Sequence, residues 1–243
     1  MLYVYSVQKQ SHISIFKIAV ILSAAFGVFF SAFASKDTFM GGGRVFMFFT
    51  IQSNIAVALI SLIGLILMFK KHRFGNVWYV IKFVATVSIT LTGAVFTFIL
   101  APTLGKNAWN VQNVLTHVVV PVTAIADFFV TGVYGSIRKQ SVPLVILPPL
   151  AYTVYAGIGY AAGWEFAEGI NYPYFFLNWG SPAGAFGFVN ELPFMGCVWW
   201  ILALMLILIF AGSVYLLIID GIKKIMAKYH DKKGKNGVDG ISG

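Results

Sequence analysis

Two side chains in the apolar part of this sequence could together cleave an acyl ester. His117 is the one histidine of four that lies inside a long apolar segment, since His12, His72 and His230 fall in polar or terminal stretches. Thr50 lies near the start of another apolar segment. A threonine hydroxyl is inert until a nearby base takes its proton, and an imidazole is such a base. The pair predicts nucleophilic catalysis if the two segments bring the side chains together.

Several polar residues near this pair are candidates for holding a substrate. Gln52 and Asn54 follow Thr50 closely and could donate to an oxyanion or pair with backbone carbonyls. Asn113, which opens the segment of His117, is a further candidate substrate-binding residue. Asp127 lies ten residues beyond His117, or ~15 Å along a helix, which is too far to orient the imidazole. It is expected as a neutral or paired carboxyl that locks helices together, or as a proton-handling group.

Each of these polar groups also has a purely structural interpretation. A histidine in a membrane helix can hydrogen-bond to a neighbouring helix. Helical threonines commonly donate to the carbonyl four residues earlier. Two stripes of small and polar residues have the spacing of one helix face and indicate helix packing: Thr50, Ser53, Asn54, Val57, Ser61 and Gly64, and then Thr86, Thr90, Gly93 and Thr97.

The elements that carry these residues must be membrane helices. Hydrophobic residues make up 59% of the 243 residues and charged residues 10%, where soluble domains have about 25% charged residues. This composition excludes a soluble domain, and it excludes disorder outside a short polar tail. Segments long enough to cross a hydrocarbon core of ~30 Å define spans 1 to 6, at about 13–34, 46–69, 77–101, 113–134, 143–162 and 194–220.

The predicted fold is an all-α, polytopic membrane protein with a six-helix bundle over residues 1–222. The first four connections are short, which favours antiparallel neighbours. The fifth, 163–193, is long and aromatic and is predicted to lie outside the cytoplasm as an interfacial cap or a re-entrant segment. Its Tyr172 and Tyr174 are candidate substrate-binding residues. Residues 223–243 are predicted to form a basic and then flexible cytoplasmic tail.

The net charge of +9 follows from membrane orientation. With both termini in the cytoplasm, 14 of the 17 lysines and arginines, Lys17 and Lys82 among them, lie on the cytoplasmic side, as the positive-inside rule requires. No basic patch interleaved with aromatic residues lies outside the membrane, so no nucleic-acid partner is expected. The single Cys197 forms no internal disulfide and is too little for a zinc site. We expect no metal or cofactor, the lipid bilayer as partner, and the cell membrane as the location.

At three motifs the chain resembles the androgen-induced-gene family of six-span membrane proteins, including its bacterial relatives. The motifs are Phe49-Thr50 with Asn54 following, His117-x-x-x-Pro121 with an acid further on, and Asn171-Tyr-Pro-Tyr-Phe-Phe before span 6. Animal members of that family are threonine hydrolases that cleave fatty acid esters of hydroxy fatty acids. The resemblance implies that Thr50 is the nucleophile and His117 the base.

Three hypotheses follow from the sequence. In the first, the protein is an intramembrane hydrolase of lipid esters, with Thr50 and His117 as the catalytic pair and a lipid-like substrate that enters from the bilayer. In the second, it is a small transporter or lipid-binding protein in which Asp127 and His117 handle protons or substrate. In the third, it is a structural bundle in which the Thr50 hydroxyl and the His117 imidazole point apart.

Overall fold

The computed structural model describes residues 2–34, 42–72, 74–132 and 137–238, and most of their side chains. Six helices are long and apolar enough to cross a membrane, which confirms the all-α, multi-pass fold. Predictions at Lys36, Arg73 and residues 239–243 lie outside the described residues. Spans 1 to 6 are Ser14–Phe33, Phe49–Phe69, Asn76–Leu104, Val111–Thr131, Lys139–Ala161 and Cys197–Tyr229.

Four of these spans change helix type along their length. Span 1 belongs to a helix Leu2–Phe29 that ends in a π-helical turn, Phe30–Ala34. A 3-10 helix, Gly42–Met47, precedes the α-helix Phe49–Phe69 of span 2. Span 3 consists of the α-helix Asn76–Val95, the π turn Phe96–Leu100 and the short α-helix Ala101–Leu104. Span 4 consists of the short α-helix Val111–Val114, the π turn Leu115–Val119 and the α-helix Val120–Gly132. Span 5 begins with the 3-10 helix Lys139–Ile146 and continues as the α-helix Leu147–Ala161.

Prolines account for where several of these changes occur. Proline has no N–H to donate and is tolerated in the first turn of a helix. Pro102 and Pro121 each lie in the first turn of the α-helical segment that follows a π turn, and Pro148 lies in the first turn after a 3-10 helix. The prolines therefore mark the boundaries between helix types within a continuous span.

Most predicted span boundaries differ from the structure by a few residues, and two of the differences matter for the site and the tail. Span 2 begins at Phe49, three residues later than expected, because residues 42–47 form a separate 3-10 helix. The last helix runs unbroken from Cys197 to Val238. The basic stretch after residue 222, expected as the first part of a separate cytoplasmic tail, therefore continues the helix of span 6.

Span 3 is the central helix of the bundle. It packs against spans 2 and 4 and also against spans 5 and 6. Span 1 closes the first group by packing against spans 2 and 4. Large apolar side chains point outward from all six spans, as lipid contact requires; examples are Leu22, Leu59, Ile81, Val122, Val154 and Leu206.

The long loop forms a packed cap over one end of the bundle, here called the loop end. Phe166, Phe176 and Leu177 of this loop are buried. Two tryptophans at the start of span 6 hold the loop: Trp199 Nε1 donates to the Phe186 carbonyl at 2.9 Å, and Trp200 Nε1 donates to the Pro193 carbonyl at 2.8 Å. The predicted aromatic cap is therefore part of the core.

A buried ionic cluster ties spans 1, 3 and 4 together toward the opposite end. Lys17 Nζ lies 3.0 Å from both carboxylate oxygens of Asp127, and Lys82 Nζ lies 2.7 Å from Oδ2. Lys82 also donates to the Asp127 carbonyl at 3.1 Å and to Thr131 Oγ1. All three ionic residues are at most 5% exposed. Lys17 and Lys82, which the sequence analysis counts among the charges on the cytoplasmic side, are not exposed to solvent, because both turn into the bundle.

We predict that Asp127→Ala lowers the stability of the bundle strongly. The change leaves two buried ammonium groups without their counter-charge, which costs about 3–5 kcal/mol, or a fall in Tm of about 6–20 °C for a chain of this size. Thermal unfolding in detergent measures the shift. Asp220→Ala, at an exposed carboxylate of span 6, is the matched control and should shift Tm little. Equal shifts in the two variants would contradict the role of the cluster.

Candidate functional site

The Thr50 hydroxyl and the His117 imidazole meet at the loop end of the bundle. Thr50 Oγ1 lies 3.3 Å from His117 Nε2. Thr50 is the second residue of its helix, and His117 lies in the π turn of span 4. The separation is longer than an optimal hydrogen bond, as contacts in ligand-free catalytic sites often are. The sequence-based expectation that these two side chains come together is confirmed, and they do not point apart.

The surroundings of His117 fix which ring nitrogen carries the proton. Nδ1 lies 3.0 Å from the Asn113 carbonyl oxygen and 3.0 Å from Thr116 Oγ1. Thr116 Oγ1 donates its own hydrogen to the Gln112 carbonyl at 2.8 Å, so it can only accept from the ring. Nδ1 therefore carries the hydrogen, and Nε2 presents its lone pair to Thr50. This is the tautomer that a general base for Thr50 requires.

Close helix contacts hold the His117 turn in place. A Cβ added at Gly93 of span 3 would lie 2.8 Å from the His117 carbonyl oxygen, and one added at Gly27 of span 1 would lie 2.7 Å from Thr116 Cγ2. Phe96, in the π turn of span 3, stacks on the imidazole with 3.8 Å between ring centroids. Pro121 has no N–H with which to bond the His117 carbonyl one turn earlier. The imidazole is thus positioned from both neighbouring helices.

Tyr174 of the loop cap is the third polar group at Thr50. Its hydroxyl oxygen lies 3.4 Å from the Thr50 backbone nitrogen and 3.5 Å from Thr50 Oγ1. The Thr50 N–H belongs to the first turn of a helix, where backbone donors have no partner within the helix. The Tyr174 ring stacks almost parallel on Phe176, with centroids 5.1 Å apart. Burial raises the pKa of the Tyr174 hydroxyl, so the group stays protonated near neutral pH.

Thr50 and Tyr174 open onto an apolar cavity between spans 2, 3, 5 and 6 and the loop cap. The space between the lining atoms, open solvent included, is about 550 Å³. The lining has no charged side chain, and its polar groups are hydroxyls. Along span 3 its lining runs from Leu100 to Leu91. Leu91 lies 13 residues, or ~20 Å, from the end of the span at Leu104. The cavity therefore reaches from beneath the cap toward the middle of the bundle.

The hydroxyls that line this cavity are not equivalent. Thr92 and Thr153 donate to the carbonyls of Ser88 and Leu150, as helical threonines commonly do. Tyr152 donates to the Met47 carbonyl at 3.1 Å. Among the three lining threonines, only Thr50 has an imidazole nitrogen as its neighbour. His117 itself does not line the cavity and reaches it through the Thr50 oxygen.

The amides next to Thr50 do not face the cavity as donors. Asn54 is fully buried, and its Nδ2 donates to the Thr50 carbonyl at 2.7 Å and the Thr116 carbonyl at 3.1 Å, while its Oδ1 has no partner. Gln52 Nε2 donates to the Phe46 carbonyl at 3.1 Å. Of the two roles expected for these amides, the structure shows pairing with backbone carbonyls.

Two further predicted substrate-binding residues lie away from the cavity. Asn113 Nδ2 donates to the Ala108 carbonyl at 2.9 Å, and the contribution of Asn113 to the site is its backbone carbonyl, which faces His117. Tyr172 is half-buried and is not among the lining residues. Of the predicted substrate-binding set, Tyr174 alone lines the cavity.

Sequence reasoning missed Thr116 and Phe96. Thr116 is adjacent to His117, but residues next to each other point to different sides of a regular α-helix, and only the observed geometry brings the two polar atoms within 3.0 Å. Phe96 carries no signal that distinguishes it from the other phenylalanines.

Within the described residues, no cluster of three metal-ligating side chains is present. Comparisons with known proteins find no matching family model, curated protein or solved structure.

We predict that Gly93→Ala displaces the His117 turn. The added methyl group would meet a backbone oxygen at 2.8 Å, so span 3 and span 4 must move apart, at a cost of about 1–3 kcal/mol. The matched control is Gly221→Ala, where the added group meets nothing within 4 Å and a helical glycine is lost. That variant should gain about 0.5–1 kcal/mol. Thermal unfolding of both variants in one detergent checks the contrast, and a stable Gly93→Ala protein would contradict it.

Proposed function

We propose that this protein is a membrane-embedded ester hydrolase in which Thr50 is the nucleophile and His117 the general base. The observation that carries the proposal is the approach of Thr50 Oγ1 to His117 Nε2 at 3.3 Å, with Nδ1 held as a donor by Asn113 and Thr116. A hydroxyl aimed at an oriented, neutral imidazole is the arrangement of an activated nucleophile.

The proposed reaction has two steps, acylation of Thr50 and hydrolysis of the acyl ester. In the first, Thr50 Oγ1 bonds to the ester carbonyl carbon while His117 Nε2 takes the hydroxyl proton. The carbonyl carbon then releases the alcohol, which leaves with the proton from Nε2, and an acyl ester of Thr50 remains. In the second step, water gives a proton to Nε2 and attacks the acyl carbon, and the return of that proton to Thr50 Oγ1 releases a carboxylic acid.

The cavity supports a lipid-like substrate. Its lining is apolar apart from hydroxyls, and Thr50 lies at its loop end. An acyl chain laid along spans 3 and 5 would bury its methylenes and bring its ester group to Thr50. Such a molecule dissolves in the bilayer, and a multi-pass protein can receive it from there. We propose that this bilayer is the cell membrane.

The same two positions support the family proposal. The resemblance to the androgen-induced-gene family assigns the catalytic pair to Thr50 and His117, and the observed contact between them is what that assignment needs. We propose on this ground that fatty acid esters of hydroxy fatty acids are within the substrate class.

The Asp127 side of the bundle gives less support to transport. Asp127 is held by two lysines and does not line the cavity. A carboxylate fixed between two ammonium groups is poorly placed to exchange protons with a passing substrate. The observations therefore favour hydrolysis over the transporter hypothesis.

We predict that Thr50→Ala and His117→Ala each lower the turnover of a medium-chain 4-nitrophenyl ester by about 10²–10⁴-fold, because each removes one half of the activated nucleophile. Thr50→Ala should also lose covalent labelling by an alkyl fluorophosphonate. Thr50→Ser keeps a hydroxyl and should retain part of both signals. Purified protein in detergent micelles serves for both measurements.

The control for that experiment is Thr123→Ala. Thr123 lies on the same span as His117 and donates only to its own helix carbonyls, at 2.7 and 3.1 Å. This variant should label and turn over as the wild type does. Normal labelling and turnover in both Thr50→Ala and His117→Ala would overturn the proposed function.

A further inference from the structure

The proposed hydrolysis needs a donor for the oxyanion, and the amides near Thr50 cannot serve. When Thr50 attacks, negative charge develops on the former carbonyl oxygen, and stabilising this charge often lowers the barrier more than any other single effect. Asn54 Nδ2 already has two carbonyl partners, and Gln52 Nε2 has the Phe46 carbonyl. Both donors are therefore occupied by backbone oxygens, away from the cavity.

The Tyr174 hydroxyl is the remaining side-chain donor beside Thr50 among the residues that line the cavity. It lies 3.5 Å from Thr50 Oγ1, and both residues line the cavity. The oxyanion of a tetrahedral intermediate is attached to the same carbon as Oγ1, so it forms within hydrogen-bond range of a hydroxyl at this distance. His117 approaches Thr50 from span 4, which contributes no residue to the lining.

The Tyr174 hydroxyl is not held by a carbonyl of the described residues. Its oxygen accepts from the Thr50 N–H at 3.4 Å and lies beside the Thr50 and Tyr152 hydroxyls, so its hydrogen can turn toward an oxyanion formed at Thr50. The other lining tyrosine, Tyr152, donates its hydrogen to the Met47 carbonyl. The Tyr174 ring is fixed by Phe176 in parallel and by Phe48 edge-on, with centroids 5.1 and 5.8 Å away. A fixed donor costs little reorganisation when charge appears.

We propose that the Tyr174 hydroxyl donates a hydrogen bond to the oxyanion formed at Thr50, and that it is a third catalytic group of this site. The inference rests on the proposed function, because it has meaning only if Thr50 is acylated. The Thr50 N–H lies at the positive end of its helix and donates to the Tyr174 oxygen, which favours an orientation in which the Tyr174 hydrogen points away from that N–H. The aromatic cap thus supplies chemistry to the site as well as covering it.

Tyr174→Phe tests this directly, because it removes one oxygen and keeps the ring. We expect kcat for the 4-nitrophenyl ester to fall about 10²–10³-fold with KM changed little, as when one oxyanion donor is lost. Affinity for an alkyl trifluoromethyl ketone, which forms an oxyanion on Thr50, should fall by a similar factor, since the donor acts on the transition state. Affinity for the matching alkyl alcohol should not change.

Two controls keep the result interpretable. Tyr215→Phe removes another tyrosine hydroxyl, bonded to Thr90 Oγ1 at 2.7 Å and absent from the cavity lining, and should leave kcat unchanged. If Tyr174→Phe fails to fold, 3,5-difluorotyrosine at position 174 keeps the hydroxyl but makes it more acidic. Activity should then acquire a loss at rising pH that the wild type lacks, as the donor ionises.

The outcomes separate this inference from the proposed function. Wild-type kcat and ketone affinity in Tyr174→Phe, together with an inactive Thr50→Ala, would overturn the oxyanion role and leave the hydrolase proposal intact. For the fluorinated protein, a pH profile identical to that of the wild type would likewise overturn it. Full activity in Thr50→Ala would instead remove the proposed function on which the inference rests.

Discussion

The Asp127 carboxylate, shared between Lys17 and Lys82, is the contact on which the packing of spans 1, 3 and 4 depends. A lone charge in an apolar interior is so costly that its partners must stay within hydrogen-bond distance. Here the partners come from spans 1 and 3 and the carboxylate from span 4. The cluster therefore fixes the rotation and depth of three helices at once. Nearer the loop end, the same three helices meet again at Gly27, Gly93 and the turn of His117.

The candidate site differs from the rest of the bundle because the Thr50 hydroxyl does not donate to a carbonyl of its own helix. In the water-poor interior, nearly every hydroxyl turns to a helix carbonyl, as Thr92 and Thr153 do. Thr50 lies in the first turn of its helix, so the carbonyl four residues earlier does not belong to the same helix and its hydroxyl is free to face His117. The late start of span 2, after the separate 3-10 helix, is thus what makes Thr50 available as a nucleophile.

The sequence predicts the spans well and the side-chain directions poorly. Uninterrupted apolar runs locate all six helices, because a lipid environment permits few alternatives. The meeting of Thr50 and His117 follows from topology and similar depth. In the sequence, Lys17 and Lys82 cannot be told from exposed charges at the cytoplasmic ends of helices. Packing sets the rotation of each helix about its axis, and that rotation decides which side chains face the interior. The π turns and the approach of Tyr174 to Thr50 depend on contacts between distant segments, which no local pattern encodes.

The distribution of polar groups along the bundle bears on what the protein can do. Between the Thr50 and His117 pair and the Asp127 cluster lies a packed group of small and branched apolar residues, namely Val20, Ala24, Val57, Ile89, Val120 and Ala124. The buried hydroxyls of Thr86 and Ser88 at this depth donate to carbonyls of their own helix. A transport path needs polar or hydrated groups in succession across the membrane. A hydrolase instead benefits from a water-free, packed region beside its site, because electrostatic interactions with the developing charge are stronger where water is excluded. The close packing between the two polar centres therefore fits the proposed chemistry at one end of the bundle and a structural role for the ions at the other.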